Sequence, residues 1–316
     1  MKFTKETLTL LDQVNEIYPG SVILRGNEVA TGVITYDQVS TEMLGTRLMV
    51  EVTDGTAPDF LATSELLMML LTLNGYPQIY FQLKDEDIDL TDQLMVMATH
   101  LYQPALRAII YREQAAHGML TSDVVKGMVA GVQQTLTQET EQDNSENALR
   151  LLTLLDLQVF LHNVSQETEN IVATMVERYP KAWAAAQKIF DAMRVDDIKN
   201  TFTVHRAVVG AFKLFDEQML AWNLPEIHAD EFATLTPVLS ERQLRLPLAQ
   251  VFDIKHLTMQ DRNTGKEAYA GLLKTSGQNS FVLSAPADDL ASFFKELYQT
   301  PVKEVLIKLG QPFAIR

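Results

Sequence analysis

No cysteine occurs in the 316 residues. Its absence removes disulfides, thiolate zinc sites, iron–sulfur clusters and cysteine nucleophiles together. Basic charge is scarce as well: 26 Lys and Arg stand against 41 Asp and Glu, a formal net charge of −15. Such a chain repels a phosphate backbone or an anionic membrane surface unless a basic patch is set apart, and its Lys and Arg are scattered. Neither a nucleic-acid nor a membrane partner is therefore expected. Long hydrophobic runs are also missing, the longest reaching about ten interrupted residues against the roughly 20 that a membrane helix needs. The opening Met1-Lys2-Phe3-Thr4-Lys5-Glu6 leads into an amphipathic segment with Asp12 and Glu16, unlike a signal peptide, so the expected location is the cytoplasm. The glycines are dispersed, with no phosphate-cradling loop and no G-x-S-x-G elbow. The six histidines, His100, His117, His162, His205, His228 and His256, show no helical or short-loop pairing suited to a metal.

What is present is an ordinary globular composition, 47% hydrophobic and 21% charged, in a length that predicts roughly two domains. Leu8, Leu11, Val14 and Ile17 mark an amphipathic helix closed by Pro19-Gly20. Strands are expected at 21–25, 29–36, 47–52 and 78–83, and a long helix at 90–117 with a kink or break at Pro104. Residues 121–222 read as successive helices, the first capped by Ser122 or Asp123, interrupted by the polar, acidic stretch Thr137 to Asn147, the best linker in the chain. A proline-rich connection over 224–247 leads to a hairpin turning at Asp261-Arg262-Asn263-Thr264-Gly265, then a strand at 279–284 and a helix at 288–298. The expected fold is α+β and predominantly helical: an α/β part over 1–140, a helical region over 141–235 and a small α+β region over 236–316.

One stretch stands out. From Phe60 to Leu73 almost every residue is apolar, between a start marked by Thr56 as N-cap and Pro58 in the first turn and a stop at Asn74-Gly75. This predicts a helix buried on most of its circumference, with one charge, Glu65, in its middle. A lone buried carboxylate is costly unless paired, hydrogen-bonded or neutralised. A helical wheel leaves two possibilities. Glu65 shares a face with Pro58 and Thr72 beside Leu61 and Met69, a narrow stripe that could meet solvent, or something holds the carboxylate.

The residues around Glu65, Ser64-Glu65-Leu66-Leu67-Met68, resemble the helix of zincin metallopeptidases of the gluzincin type. There H-E-x-x-H supplies two histidines to zinc and a glutamate that activates the bound water. Here the glutamate stands while serine and methionine occupy both ligand positions, and neither is a useful zinc donor. The segment from Asp92 to Tyr102 resembles the gluzincin ligand helix, which puts the third ligand at Asp92 or Gln93, with His100 on the same helix. In that family the strand before the motif helix is the edge over which substrate peptides lie, here Leu48 to Val52. The resemblance covers residues 45–103 and extends to bacterial cytoplasmic proteins labelled the IpaB/EvcA family, whose relatives with an intact motif are expected to hold zinc. It implies a pseudopeptidase: Glu65 a vestigial general base, and Ser64, Met68, Asp92, Gln93 and His100 former ligand positions or cleft lining. No metal or other cofactor is then expected, and the former cleft would hold a peptide or protein partner uncut. Two other readings stay open: a metal-dependent hydrolase with Asp92, His100 and Glu65 as unconventional ligands, or an oligomeric scaffold built by the helical middle. The Met68, Met69, Met95 and Met97 cluster reads as flexible core packing, and Arg242-Gln243-Leu244-Arg245, the densest basic spot, as an inter-domain salt bridge or an anion site.

Overall fold

The computed structural model describes residues 2–140, 145–286 and 288–316. The described chain is α+β and predominantly helical, 55% helix and 17% strand. It forms two compact units, each built from two stretches: 1–74 with 103–196, and 75–102 with 197–316.

The first unit opens with α1 (Lys5–Ile17), whose N-cap Thr4 accepts from the amide of Thr7. Three strands follow, β1 (Ser21–Gly26), β2 (Val39–Leu44) and β3 (Arg47–Val52), in the order β1-β3-β2. β3 lies in the centre, parallel to β1 from Ser21↔Arg47 to Gly26↔Val52 and antiparallel to β2. It is therefore not the edge strand that the zincin likeness implies; both its ladders are already filled, leaving no free backbone row for a substrate peptide. The sheet is covered by α1 and α2 (Pro58–Leu73), which close a small core of Val14, Val22, Val50 and Leu66.

No strand forms over 29–36. Its backbone groups go elsewhere: Val29 accepts from the amide of Gly55 at 2.7 Å, the Gly32 amide donates to Thr56 Oγ1 at 2.8 Å, and the Ile34 amide donates to the Gly127 carbonyl at 3.0 Å. β2, which the sequence pattern did not announce, fills the sheet position instead.

The remaining helices of the first unit are the second half of α3 (Ile88–Ala116), α4 (Ser122–Thr135), α5 (Asn147–His162), α6 (Glu169–Arg178) and α7 (Pro180–Met193). α3 continues through Pro104 without a break. The cap of α4 is Thr121, one residue before Ser122 and two before Asp123, the two expected ones. α5 is buried over nearly its whole length, as an apolar run such as Leu151-Leu152-Thr153-Leu154-Leu155 demands. Residues 141–144 of the expected linker lie outside the described residues, but its flanks are held within this one unit. Arg150, fully buried, donates to the Thr137 carbonyl at 3.0 Å and pairs with Glu146 at 3.0 Å, while the Glu139 carboxylate accepts from the Lys181 and Ala182 amides at the N-terminus of α7.

The second unit contains β4 (Ile79–Tyr80) and β5 (Leu83–Lys84), which replace the single strand expected over 78–83 and pair in different sheets. α8 (Thr201–Ala221) starts from the capping residue Asn200. The proline-rich stretch then folds as α9 (Ala229–Phe232), β6 (Thr234–Leu235), β7 (Val238–Leu239) and α10 (Glu241–Arg245), and α11 (Leu248–Val251) follows it. β8 (Phe252–Asp261) and β9 (Glu267–Leu273) make the expected hairpin, its turn tied by the Asn263 amide and the Thr264 hydroxyl to the Asp261 carboxylate. β10 (Asn279–Leu283) completes the four-stranded order β10-β9-β8-β5. α12 (Leu290–Gln299), α13 (Val302–Lys308) and β11 (Ala314–Ile315) end the chain, and Phe252, Phe281, Val302 and Leu306 centre this unit's core. Among the described residues no helix is long and apolar enough to cross a membrane.

Candidate functional site

The apolar helix forms over Pro58–Leu73 as expected, with Pro58 in its first turn and Gly75 beyond its end at φ +74°. Its start differs in detail. Ala57 is the N-cap, and Thr56 looks away from the helix: its amide donates to Asp54 Oδ1 at 2.8 Å and its hydroxyl accepts from Gly32. Phe60, Leu61, Ala62, Thr63 and Leu66 are buried, whereas Ser64, Glu65 and Met68 are half-buried. Burial raises the Glu65 pKa above the usual carboxylate value, and the positive charge of Arg107 offsets part of that rise.

Arg107 belongs to a buried polar cluster that the sequence reading missed. Its Nη1 lies 2.9 Å from Asp156 Oδ2, with both side chains about nine-tenths buried. The guanidinium carbon sits 3.4 Å from the centroid of the Tyr36 ring, a cation–π contact in a desolvated setting. The Tyr111 hydroxyl donates to the same Asp156 oxygen at 3.2 Å and is hydrogen-bonded to the Tyr36 hydroxyl. Burial, reinforced by the Asp156 charge, pushes both tyrosines above their ordinary pKa, so both stay neutral. Burial alone would lower the Arg107 pKa, but Asp156 and the two tyrosines outweigh it and the net shift is upward. Around this group Phe60, Tyr111 and Phe160 pack ring on ring, with centroids 5.3 to 6.4 Å apart. Asp156 Oδ1 is buried without a hydrogen-bond partner.

The local sequence explains how these side chains converge. Arg107 and Tyr111 are one helical turn apart on α3, so they share a face. Tyr36 arrives on the loop that α4 admits closely, because Gly131 leaves room where a Cβ would lie 2.0 Å from the Ile34 carbonyl oxygen. Asp156 is the lone acid in the apolar run of α5. A single charge inside an apolar stretch of helix is the signal that marks Glu65, and it also marks Arg107 within residues 101–111 and Asp156 within residues 151–161.

The other expected site residues fall elsewhere. Asp92, Gln93 and His100 are exposed on the first half of α3, within the second unit, whereas Ser64, Glu65 and Met68 belong to the first. Arg242 and Arg245 are exposed on α10, where no ion pair involves them among the described residues. Beside α2 there is a groove of about 270 Å³, lined by Lys5, Glu6, Gln13, Thr63, Gln114 and His117. Gln114 donates to the Phe60 carbonyl and to Thr63, which fixes its amide so that the buried Oε1 has no partner.

Among the described residues, one metal-competent grouping is Asp216, Glu226 and His228 in the second unit, with a ligand atom from each within 4.8 Å of the others. Asp216 accepts from the Ile227 amide at 2.8 Å, and burial raises its pKa. The donor set of two carboxylates and one imidazole suits a borderline divalent cation.

Chemically, the Glu65 neighbourhood holds one half-buried carboxylate, one internally neutralised ion pair and two neutral phenols. Among the described residues the cation that acts on Glu65 is Arg107, which is already committed to Asp156. Comparison of the chain with protein-family models, with curated proteins and with solved structures finds no match.

Proposed function

We propose that the chain is a pseudopeptidase of zincin-like descent that binds a peptide or protein segment without hydrolysing it. The observation that carries this reading is the side-chain chemistry on α2: Glu65 is retained, half-buried, between Ser64 and Met68, neither of which serves zinc. Activation of water by Glu65 would require a metal beside it or a strongly basic carboxylate with a free proton path. Arg107 is the charge that acts on Glu65, and it is occupied by Asp156. The groove along the adjacent stripe of α2, at Thr63 and Leu67, supports binding, because Leu10, Leu67 and Met119 give it apolar walls beside the polar side chains of Gln13 and His117.

A peptide array probed with the full chain, with and without a metal chelator, tests this proposal. The expected outcome is a set of peptides retained intact under both conditions and lost in Leu67→Glu, which puts a charge on the groove wall. Retention of none, or cleavage of the bound peptides, would overturn it.

The alternative of a metal-dependent hydrolase gains one specific support, the Asp216, Glu226 and His228 grouping. Its ligand set differs from Asp92, His100 and Glu65, so chelator-sensitive activity abolished by His228→Ala but not by Glu65→Gln would favour it.

A further inference from the structure

A cavity of about 370 Å³ opens in the second unit against one stripe of α8. Phe202, Arg206, Gly210 and Lys213 follow one another at three- and four-residue steps, so they face the cavity together. Thr275 and Ser276, in the turn after β9, and the side chain of Arg316 close the opposite side. The charged side chains in this lining are all cationic, in a chain whose net charge is −15. Such segregation is what the sequence count could not reveal: scattered positions along the chain meet at one place.

The cations are only partly occupied. Arg316 donates to Gln243 Oε1 at 3.2 Å and lies 4.9 Å from the centroid of Phe202. Lys213 donates to the Ser276 carbonyl, and Asp230, which is not part of the lining, feels its charge. Arg206 is exposed and, among the described residues, engaged in no ion pair. Under them lies His205, 6% exposed, with Nε2 buried and unpartnered. Its burial lowers its pKa to about 4, so near neutral pH it supplies a neutral ring with an unused polar atom. The floor is open because Gly210 carries no side chain: a Cβ there would meet nothing within 4 Å.

From this geometry we infer a binding site for a small organic phosphate. Two guanidinium groups and an ammonium converge on one cavity, and arginine forks match phosphate oxygens bidentately. Thr275 and Ser276 add hydroxyl donors, and the ring of Phe202 at the rim offers a flat surface for the organic part. The cavity is larger than an orthophosphate requires and suits a mononucleotide-sized ligand. This site is independent of the α2 reading, since it uses none of the same residues.

Titration calorimetry of the full chain at low salt, with inorganic phosphate, pyrophosphate, adenosine 5′-monophosphate and citrate as probes, tests the inference. The expected result is saturable one-to-one binding of the phosphates, strongest for the nucleotide and weakened by salt. Arg206→Glu should weaken it about tenfold, as loss of a charge-assisted contact does. Gly210→Leu should abolish it by filling the cavity with charge unchanged. Arg47→Glu, the same charge change at an exposed position in the first unit, should leave it intact. Absence of saturable binding by any phosphate at millimolar concentration would overturn the inference. So would equal weakening by Arg206→Glu and Arg47→Glu, which would mark diffuse attraction, or citrate binding more tightly than the phosphates.

Discussion

Two kinds of charge occupy the interior of the first unit, and they differ in what their removal should do. Arg107 and Asp156 form a buried pair about nine-tenths removed from water, with Tyr36 and Tyr111 completing their shell. Removing one member of such a pair leaves the other uncompensated, at a cost of about 3–5 kcal/mol. Asp156→Asn should therefore lower the urea midpoint sharply. Asp123→Asn, which breaks the largely exposed Lys126 pair, should change stability by less than about 1 kcal/mol. Among the described residues Glu65 has no such partner, and its raised pKa gives a sign that can be checked. Between the unfolded and folded pKa values the native state holds more protons than the unfolded state, so stability falls as pH rises through that window. Glu65→Gln removes the titration. The variant should match wild type below about pH 4, where both side chains are neutral, and be the more stable at pH 7. Urea unfolding at both pH values checks this, and a destabilised variant at pH 7 would show that Glu65 makes a favourable ionic contact. The sequence made Glu65 legible because a lone charge interrupts an apolar helix. Arg107 and Asp156 carry the same mark, but the pairing between them is set by how α3 and α5 meet, which no local pattern encodes.

At the scale of elements, helices were easier to read than strands. α1, α2, α5, α6, α7, α8 and α12 were legible because each combines an apolar stripe with a stop or cap in its own sequence. The segment 29–36 has strand-like composition, yet its amides are claimed by the turn at 53–56 and by α4, so tertiary hydrogen bonds override propensity. The reverse holds for β2, whose mostly exposed residues place Ser, Thr and Glu together before Met and Leu and so gave no alternating signal. α4 owes its role to two glycines one turn apart, Gly127 and Gly131, that admit Ile34 against the helix backbone. Alanine is ordinarily better than glycine in a helix by about 1 kcal/mol. At Gly131 the order should invert, because the added Cβ meets the Ile34 carbonyl at 2.0 Å. At Gly210 of α8 the space is open, so Gly210→Ala should stabilise by about 0.5–1 kcal/mol. Thermal unfolding of the two variants side by side is the check, and equal shifts would contradict the close approach.

The whole molecule divides where composition does not change. The expected boundaries near 140 and 236 rested on a polar stretch and a proline-rich one, both local features. The two compact units instead exchange the chain after residues 74, 102 and 196, the second of these inside a continuous helix. Unit membership follows long-range packing, so a discontinuous arrangement leaves no punctuation in the sequence. Net charge behaves in the same way: −15 describes the chain as a whole, while the cavity on α8 is cationic. The pseudopeptidase account makes its central claim at this scale too, that a hydrolase-like helix has been kept for binding alone. The most direct test is to incubate a proteome-derived peptide library with wild type and with Glu65→Gln, each with added zinc or with chelator, and to read cleavage by mass spectrometry. The account expects the same uncut peptides in all four samples. Cleavage by wild type that disappears both on chelation and in Glu65→Gln would contradict it.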